Sequence, residues 1–377
     1  MATRSSAQPQ SRRSQRPGRA RALRDLAAGY AFVAPFLVVY LLFLVVPFFR
    51  GLWIGMHDWN LLAVVFNPDA KEFIWFENWR EMAWGSGLTW SATVRWPWRL
   101  AGLVLTGWLL FQTARGRLGR GVGVSAAVAV ALAFGVLAGV TPGPEGAWSD
   151  PRFFVIVGNT LLFVALTVPA ITALALLLAV ALNRAGPYAA ALRTAFFLSQ
   201  VLSVTVVTLI WQLIYSPSQG ILANLFRAVG LEPITWITNP ALAMPSIVIA
   251  TVWWSLGFAM VLFLAGLQEI PAERYEAARL DGANGWNAFR FITLPGISRT
   301  VTLVVVFEIV LHFQVFGQSH LITRGGPNDA TQTLVRYIYQ TAFRDGQLGY
   351  ASALAIVLFA LMLVFSLLQM RLERRTD

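Results

Sequence analysis

The sequence predicts an all-α protein that crosses a membrane about eight times. Three observations predict this fold class: the composition, the length of the apolar runs and the placement of the arginines. Hydrophobic residues make up 57% of the 377 positions, charged residues make up 12%, and the mean hydropathy is +0.62. A soluble domain carries roughly 45–50% apolar and about 25% charged residues. The excess of apolar residues therefore indicates that lipid surrounds most of the helices.

Eight apolar runs define the predicted spans. A helix needs about 20 apolar residues to cross roughly 30 Å of hydrocarbon, and most of the runs reach that length. The second run is the shortest and is interrupted by Arg99, whereas the fourth is long enough to tilt. In chain order the runs are Gly29–Phe49, Pro97–Phe111, Gly121–Val140, Phe153–Leu182, Thr194–Tyr215, Ala243–Leu267, Thr300–Leu321 and Ala351–Met370.

The arginines orient these spans, because basic residues collect on the cytoplasmic side of membrane proteins. With eight crossings, both termini and every arginine-rich connection lie in the cytoplasm, whereas seven crossings would place one arginine cluster outside. The net charge of +11 is therefore explained by topology, and no nucleic-acid partner is expected. Residues 1–24 are predicted to be a disordered basic cytoplasmic tail, and residues 371–377 a short cytoplasmic tail.

Several kinds of chemistry are excluded by the side chains that the sequence lacks. The chain has no cysteine, and its single lysine, Lys71, has no glycine-rich approach, so a phosphate-binding loop of the GxxxxGK[ST] type is impossible. The histidines, His57, His312 and His320, have no metal-ligand spacing. No catalytic residue, metal ligand or bound cofactor is predicted, and the chain is not expected to be an enzyme. Active transport would draw its energy from a partner or from an ion gradient.

A polar segment between two apolar runs reads EAARLDGANGWNAFRFITLP over 276–295. It predicts a short helix at the cytoplasmic surface that begins after Pro271, since proline suits a first helical turn. Glu273 and Glu276 fall near its start, where the helix dipole favours acids. Gly282 would end the helix, because glycine accepts the left-handed conformation found at helix C-termini.

A second short helix is predicted over 286–292, closed by Pro295. The two helices would form a helix–turn–helix that presents apolar side chains at the membrane surface. An ordinary amphipathic connector is the alternative, since such connectors are common. The apolar side chains expected to project are Leu280, Phe289 and Ile292.

This segment resembles the EAA loop of a known family. The pattern is EAA, three residues, glycine, nine residues and Ile-x-Leu-Pro, which the chain meets at 276–278, 282 and 292–295. It is similar to the loop of the membrane subunits of binding-protein-dependent ABC importers. Among them, the carbohydrate-uptake permeases and the larger, MalF-like subunit of the maltose type are the nearest match. The resemblance covers 29–82 and 150–370.

The resemblance implies a type I ABC importer permease fold. Residues 25–149 would hold N-terminal helices, including an inserted hairpin at 97–140 that the resemblance does not explain. Residues 150–370 would form the permease core, with the cytoplasmic EAA loop at 268–297. The hairpin leaves and returns to the outer face, so the later spans keep their orientation.

The resemblance also implies partners. The EAA loop would seat in a cleft of a separate ATPase subunit, which binds the ATP and Mg that this chain does not. The other implied partners are a second permease subunit forming a heterodimer, a second ATPase subunit, an extracytoplasmic sugar-binding protein, the sugar and membrane lipids. The implied location is a bacterial or archaeal plasma (inner) membrane. The residues implied in ATPase coupling are Glu276, Ala277, Ala278, Leu280, Gly282, Phe289, Ile292 and Pro295.

Polar groups inside apolar spans mark a candidate substrate pathway, because they are costly unless they face a cavity. Glu308 lies in the seventh predicted span with His312 four residues on, and the matching span of the maltose-type subunit supplies substrate contacts. The alternative is a purely structural pair between these two side chains. The candidate pathway residues are Glu308, Leu311, His312 and Val315 in the seventh span, with Trp253, Leu256, Gly257 and Met260 in the sixth.

Three functions are compatible with the sequence. The leading one is an ATP-driven importer permease for maltose, trehalose or another oligosaccharide. The second has the same architecture but carries a polyol, or an anionic solute such as glycerol phosphate. The third is an ion-coupled secondary transporter, which should show internal repeats and broken helices; no such repeat is evident.

Overall fold

The computed structural model describes residues 19–67, 69–84, 88–90, 96–115, 126–128, 130–131, 134, 140–142 and 150–373. Most of these residues are helical, which confirms the predicted all-α class. π-helical turns occur at Leu41–Val45, Phe289–Thr293 and Ser319–Thr323. The helices are α1 (Arg19–Tyr40), α2 (Val46–Gly55), α3 (Leu61–Phe66), α4 (Glu77–Trp84), α5 (Trp96–Ala114), α6 (Arg152–Leu182), α7 (Pro187–Val201), α8 (Val204–Tyr215), α9 (Ile221–Ala228), α10 (Pro240–Gln268), α11 (Ala272–Leu280), α12 (Gly285–Ala288), α13 (Leu294–Gly296), α14 (Ser298–Phe313), α15 (Leu334–Phe343) and α16 (Leu348–Glu373).

The first span is one long helical run. Helix α1, the π-helical turn after it and α2 give an apolar stretch over Ala28–Gly55, long enough to cross a bilayer, as predicted. Helix α1 already begins at Arg19, so the predicted disordered tail does not extend to residue 24. The reason is the abundance of Ala, Leu and Arg, which are strong helix formers, from residue 19 onwards. Residues 1–18 lie outside the described part of the chain.

Helix α10 is the centre of the permease core. It packs along α6 and also against α7 and α14, and it matches the predicted sixth span. Ala175 and Ala179 of α6 and Ala259 of α10 are fully buried in the shared cluster. Small residues of this kind let helix backbones approach closely, which drives helix association where lipid removes the hydrophobic effect.

The predicted span Thr194–Tyr215 is not one continuous helix, because it is broken into α7 and α8, which meet at an angle of 102°. Ser203 caps α8 by accepting a hydrogen bond from the backbone N–H of Val206. The freed carbonyl of Leu202 accepts a hydrogen bond from Trp254 Nε1 at 3.1 Å. A non-helical backbone at membrane depth persists only where protein satisfies its polar groups in this way.

The predicted span Thr300–Leu321 also differs from the structure. Helix α14 ends at Phe313, eight residues earlier than predicted, and is bent by 67° from the helices that precede it. Its end is closed by Gln314 N–H and Val315 N–H donating to Leu311 O and His312 O. The chain then forms the π-helical turn Ser319–Thr323 instead of continuing outwards as a helix.

Two short antiparallel ribbons accompany the helices. β1 (His57–Asp58) pairs with β2 (Glu72–Phe73), and β3 (Leu88–Trp90) pairs with β4 (Val140–Pro142). The second ribbon brings the two ends of the inserted segment side by side, with Trp90 opposite Val140. The prediction that the insertion leaves and returns to the outer face of the membrane stays a prediction.

Within the described residues, four helices are long and apolar enough to cross a membrane, or up to six if each bent pair is one span. The predicted second span, Pro97–Phe111, is helical as part of α5. The third, Gly121–Val140, lies largely outside the described residues. The total of eight spans and the cytoplasmic position of both termini therefore stay predictions.

Gly257 of α10 shows how tight the core is. A Cβ added at this position would lie 2.1 Å from the carbonyl oxygen of Phe196 in α7, which is far inside contact distance. The obstructing atom belongs to the backbone, so it cannot move away as the end of a flexible side chain could. Glycine is therefore required here for helix packing.

We expect Gly257→Ala to lower the thermal stability of the purified protein, because over-packing of this kind typically costs about 1–3 kcal/mol. The measurement is the midpoint of thermal unfolding in detergent. Gly158→Ala on α6 is the matched control, since a Cβ there meets nothing within 4 Å. Equal midpoints for the two variants would contradict the packing role of Gly257.

Candidate functional site

The EAA segment forms the predicted first helix and turn. Helix α11 begins after Pro271, carries Glu273 in its first turn and ends at Asp281. Gly282 has φ +77°, the left-handed conformation that closes a helix and that glycine adopts without strain. The backbone N–H of Ala283 then donates to Ala278 O at 2.9 Å. Pro271, Glu273 and Gly282 therefore lie before the start, in the first turn and just after the end of this helix, as the sequence predicted.

The second helix of the segment does not end at Pro295 as predicted. Asn284 caps α12 by accepting a hydrogen bond from Asn287 N–H at 2.8 Å. The helical path then continues through the π-helical turn Phe289–Thr293 into α13, which ends at Gly296. Pro295 lies at the start of α13, and because it has no N–H it donates no hydrogen bond to the preceding turn.

One side of the segment is fixed to the permease core. Ile292 and Tyr275 are half-buried and pack against the cluster shared by α6, α10 and α14. Tyr275 Oη and Thr293 Oγ1 lie 2.9 Å apart in a hydrogen bond that joins the two helices. Ile292, which was predicted to project outwards, therefore anchors the segment.

The other side of the segment is an exposed apolar surface. Leu280 is 90% exposed, and Trp286 and Phe291 are 65% and 68% exposed. Phe289 is half-buried and stacks on Trp286, with 5.7 Å between ring centroids. The sequence prediction missed Trp286 and Phe291 as projecting side chains. The signal was available, because large apolar residues in a polar surface loop need a partner or lipid to cover them.

A cleft of about 410 Å³ separates the two helices. Its lining includes Ala277 and Ala278, whose small side chains keep the cleft open, and Pro295 from the second helix. Glu276 is exposed beside it and forms no ion pair with any residue that the structure describes. The remaining lining residues are Arg274, Asp281, Phe291, Ile292 and Gly296.

Glu308 and His312 are brought together in the interior. They are 0% and 3% exposed, and His312 Nδ1 lies 3.2 Å from Glu308 Oε2. The better hydrogen bond of Nδ1 is to the backbone oxygen of Glu308, at 2.8 Å. Neither carboxylate oxygen has a hydrogen-bond partner among the described residues. The two side chains are adjacent, and both a structural pair and a substrate contact stay open as predictions.

Most of the candidate pathway residues are buried in this structure. Leu311 and Trp253 are the exceptions, at 42% and 40% exposed. The role of all eight as substrate contacts stays a prediction. The buried six are Glu308, His312, Val315, Leu256, Gly257 and Met260.

A polar network joins the start of α6 to the loop before α15. Arg152 donates to both carboxylate oxygens of Asp329, at 2.9 and 2.8 Å, which is the bidentate geometry that arginine favours. Buried Asp150 accepts hydrogen bonds from Tyr337 Oη at 2.8 Å and Tyr350 Oη at 2.6 Å. Burial, and then the hydrogen bond to Asp150, raise the pKa of Tyr337. The network fixes the loop before α15.

The bundle of apolar helices and its exposed, anchored two-helix segment define a membrane transport subunit. Residues 152–377 match the family described as the binding-protein-dependent transport system inner membrane component. The match covers more than half of the chain, and the chain belongs to this family. It is accordingly a multi-pass membrane protein and the non-catalytic permease of an ABC importer, with ATP hydrolysed by a separate subunit. The family predicted from the EAA pattern is confirmed.

Individual proteins extend the comparison. The lactose transport system permease protein LacF of Rhizobium radiobacter is 34% identical over 228 residues, which cover 59% of this chain and 76% of LacF. The probable ABC transporter permease protein YesP of Bacillus subtilis is 29% identical over 92% of this chain and 90% of its own. A chain of a bacterial ABC transporter that imports the acidic polysaccharide alginate has the same fold, with a TM-score of 0.66, 20% identity and coverage of 94% of this chain and 98% of its own.

We expect Glu308→Gln to leave the thermal midpoint of the purified protein unchanged or higher. The change keeps the shape of the side chain and replaces a buried carboxyl group whose oxygens accept no hydrogen bond among the described residues with a neutral amide. Glu308→Ala is the comparison, because it empties the site and should lower the midpoint. A large fall for Glu308→Gln would instead show that Glu308 and His312 form a stabilising ion pair, since breaking a buried pair costs about 3–5 kcal/mol.

Proposed function

We propose that this chain is the permease subunit of an ATP-driven importer that translocates an oligosaccharide delivered by an extracytoplasmic binding protein. The observation that carries the proposal is the EAA segment, which is anchored on one side and exposed on the other. The lactose transport permease LacF, at 34% identity, supports a saccharide as the cargo. Maltose and trehalose are neutral candidates within this class, and glycerol phosphate or a polyol is the second candidate. The family assignment argues against an ion-coupled transporter.

The coupling mechanism follows from how the segment is held. Exposed Leu280 and Trp286 would fill apolar pockets of an ATPase subunit, and exposed Glu276 would pair with one of its basic residues. Because Tyr275 and Ile292 fix the same segment to the core, a displacement of the ATPase surface would move α10 and α14 with it. ATP and Mg belong to the ATPase, where the chemistry takes place.

The chain forms only part of the proposed transporter. A second permease subunit would pair with it, and each permease would carry one ATPase subunit on its cytoplasmic side. The extracytoplasmic binding protein would dock on the opposite face, and the assembly would lie in a bacterial or archaeal plasma membrane. These partners are tested together by asking which proteins co-purify with the tagged chain from its source cells. Absence of any ATPase from the purified assembly would contradict the proposal.

Substrate passage requires buried pathway residues to become exposed. Trp253 and Leu311 are already accessible and offer an aromatic face and an apolar side chain to a sugar ring. Glu308 and His312 lie on α14, the helix that continues from the coupling segment. Movement of α14 would separate these two side chains from their neighbours and present them to the cargo. ATP-driven motion at the cytoplasmic surface would in this way reach the middle of the membrane.

We expect Glu276→Lys to abolish the stimulation of ATP hydrolysis by the loaded binding protein while the subunit stays folded. Losing one partner of a buried charged pair at an interface typically costs about 2–5 kcal/mol of binding, and here the change also introduces repulsion. The measurement is ATPase activity of the reconstituted transporter with and without the binding protein and its saccharide.

Glu273→Lys is the matched control for this prediction. Glu273 is also exposed on α11, one turn nearer the start of the helix, so the charge reversal is the same and only the position differs. We expect the control to retain most of the stimulation. Equal effects of the two variants would contradict a specific coupling role for Glu276.

A further inference from the structure

A second cavity, of about 480 Å³, lies between α8, the π-helical turn Ser319–Thr323 and α15. Its ionisable side chains are Arg324, Arg336, Arg344, His320 and Tyr339, and no carboxylate lines it. Apart from the tyrosine, these side chains are basic groups. We call it the basic cavity. The side chains come from parts of the sequence more than 100 residues apart, since α8 supplies Thr208 and Gln212 to the same wall.

Arg336 is the central group of the basic cavity. It is only 7% exposed, and its Nε has no hydrogen-bond partner among the described residues. Its Nη1 is occupied by the neutral side chains of Gln332 and Gln340. A buried guanidinium without an acidic partner is costly, so the site is incomplete without an anion.

The acidic residues of this region do not supply that anion. Asp329 is the carboxylate that acts on Arg336 electrostatically, but both of its oxygens accept hydrogen bonds from Arg152. Neither Arg324 nor Arg344 forms an ion pair with any residue in the described ranges. The positive charge of the cavity is therefore uncompensated by this chain as far as the structure describes it.

Topology does not account for these arginines. The positive-inside rule places basic residues in cytoplasmic connections, whereas residues 322–350 are a predicted outside connection. The network around Arg152 and Asp329 also shows that this region can neutralise an arginine where a structural pair is needed. Arg324 and Arg344 are exposed and can be solvated by water, whereas buried Arg336 still calls for a ligand.

The rest of the cavity wall suits a sugar ring. His320 stacks on Phe316 with 4.7 Å between ring centroids, and Tyr339 meets the His320 ring edge-on at 5.2 Å. His320 Nδ1 is buried and has no hydrogen-bond partner among the described residues. Thr208 Oγ1 donates to Thr205 O and Gln212 Nε2 donates to Leu321 O, so their side-chain oxygens are the atoms that can accept hydrogen bonds from sugar hydroxyls.

We propose that the basic cavity binds the acidic group of an anionic saccharide, with Arg336 as its main ligand. The inference rests on the proposed function and makes its cargo more specific: an oligosaccharide that carries carboxylate or sulfate groups. Arginine matches the planar, bidentate geometry of such groups. A neutral saccharide would leave the cavity's charges unpaired, so the site selects against it.

The test uses the complete transporter, purified from source cells and placed in phosphatidylcholine nanodiscs. Three uronic-acid trisaccharides, built from glucuronate, galacturonate or mannuronate, are each compared with the corresponding neutral trisaccharide by calorimetric titration at low and high salt. We expect at least one acid to bind more tightly than its neutral counterpart and to lose affinity with salt. Arg336→Gln should weaken that acid about tenfold or more, the scale of a lost charge-assisted hydrogen bond.

Two further variants keep the test decisive if Arg336→Gln fails to fold. Arg344→Gln removes a charge from an exposed part of the cavity wall, and Arg184→Gln is the matched control, because Arg184 is exposed and lies outside the cavity lining. We expect the first to weaken the acidic trisaccharide severalfold and the second to leave it unchanged. Equal affinities of the unaltered protein, Arg344→Gln and Arg184→Gln for the acidic trisaccharide would overturn the inference.

The remaining outcomes separate this inference from the proposed function. Uptake of neutral trisaccharides, with no acid preferred in binding, would overturn the basic cavity as a saccharide site and leave the importer standing. An anionic lipid that co-purifies with the transporter and is lost on Arg336→Gln would also overturn it, assigning the cavity to a lipid headgroup. Absence of any ATPase subunit from the purified transporter would contradict the proposed function itself, whatever the saccharide results.

Discussion

The close approach of α10 to its neighbours is the constraint on which the rest of the structure depends. Gly257 lets α10 meet the backbone of α7, and Gly266 lets it meet α14, where a Cβ would lie 2.4 Å from Thr300 Oγ1. Lipid gives no hydrophobic reward for bringing helices together, so contact over a small-residue surface has to supply the attraction. Because α10 runs almost directly into α11, the same contacts also fix the base of the EAA segment.

The membrane also restricts where the backbone can depart from a helix. The break between α7 and α8 is possible because the indole of Trp254 and the hydroxyl of Ser199 bond to main-chain oxygens beside it. The turn after α14 is closed within its own backbone and by Thr333 Oγ1, which donates to Val315 O at 3.0 Å. Thr205, just after the first break, and His320 and Leu321, in the π-helical turn that follows α14, line the basic cavity. The places where regular structure stops are thus the places where polar groups become available for a ligand.

The long spans and the EAA turn could be predicted from the sequence because their signals are local. The length of the apolar runs predicted α6 and α10, and Gly282 predicted the end of α11. The bend before Val204 could not be read from hydropathy, which averages over the window and ignores a single serine cap. The direction of Ile292 was missed for a similar reason, because a π-helical turn shifts the face that follows it. The basic cavity could not be predicted at all, since its arginines meet Thr208 and Gln212 only through tertiary packing.

The ribbon between β3 and β4 has a consequence for how this chain can change. Leu88 and Pro142 stand opposite each other in its register, so more than fifty residues leave and re-enter the fold at a single point. Paired backbones of this kind lie only about 5 Å apart. A stretch with such a closed neck can be gained, lost or exchanged without re-threading any helix of the core. The stretch between the two strands could therefore be shortened or replaced in an engineered chain while the path of the core helices stays the same.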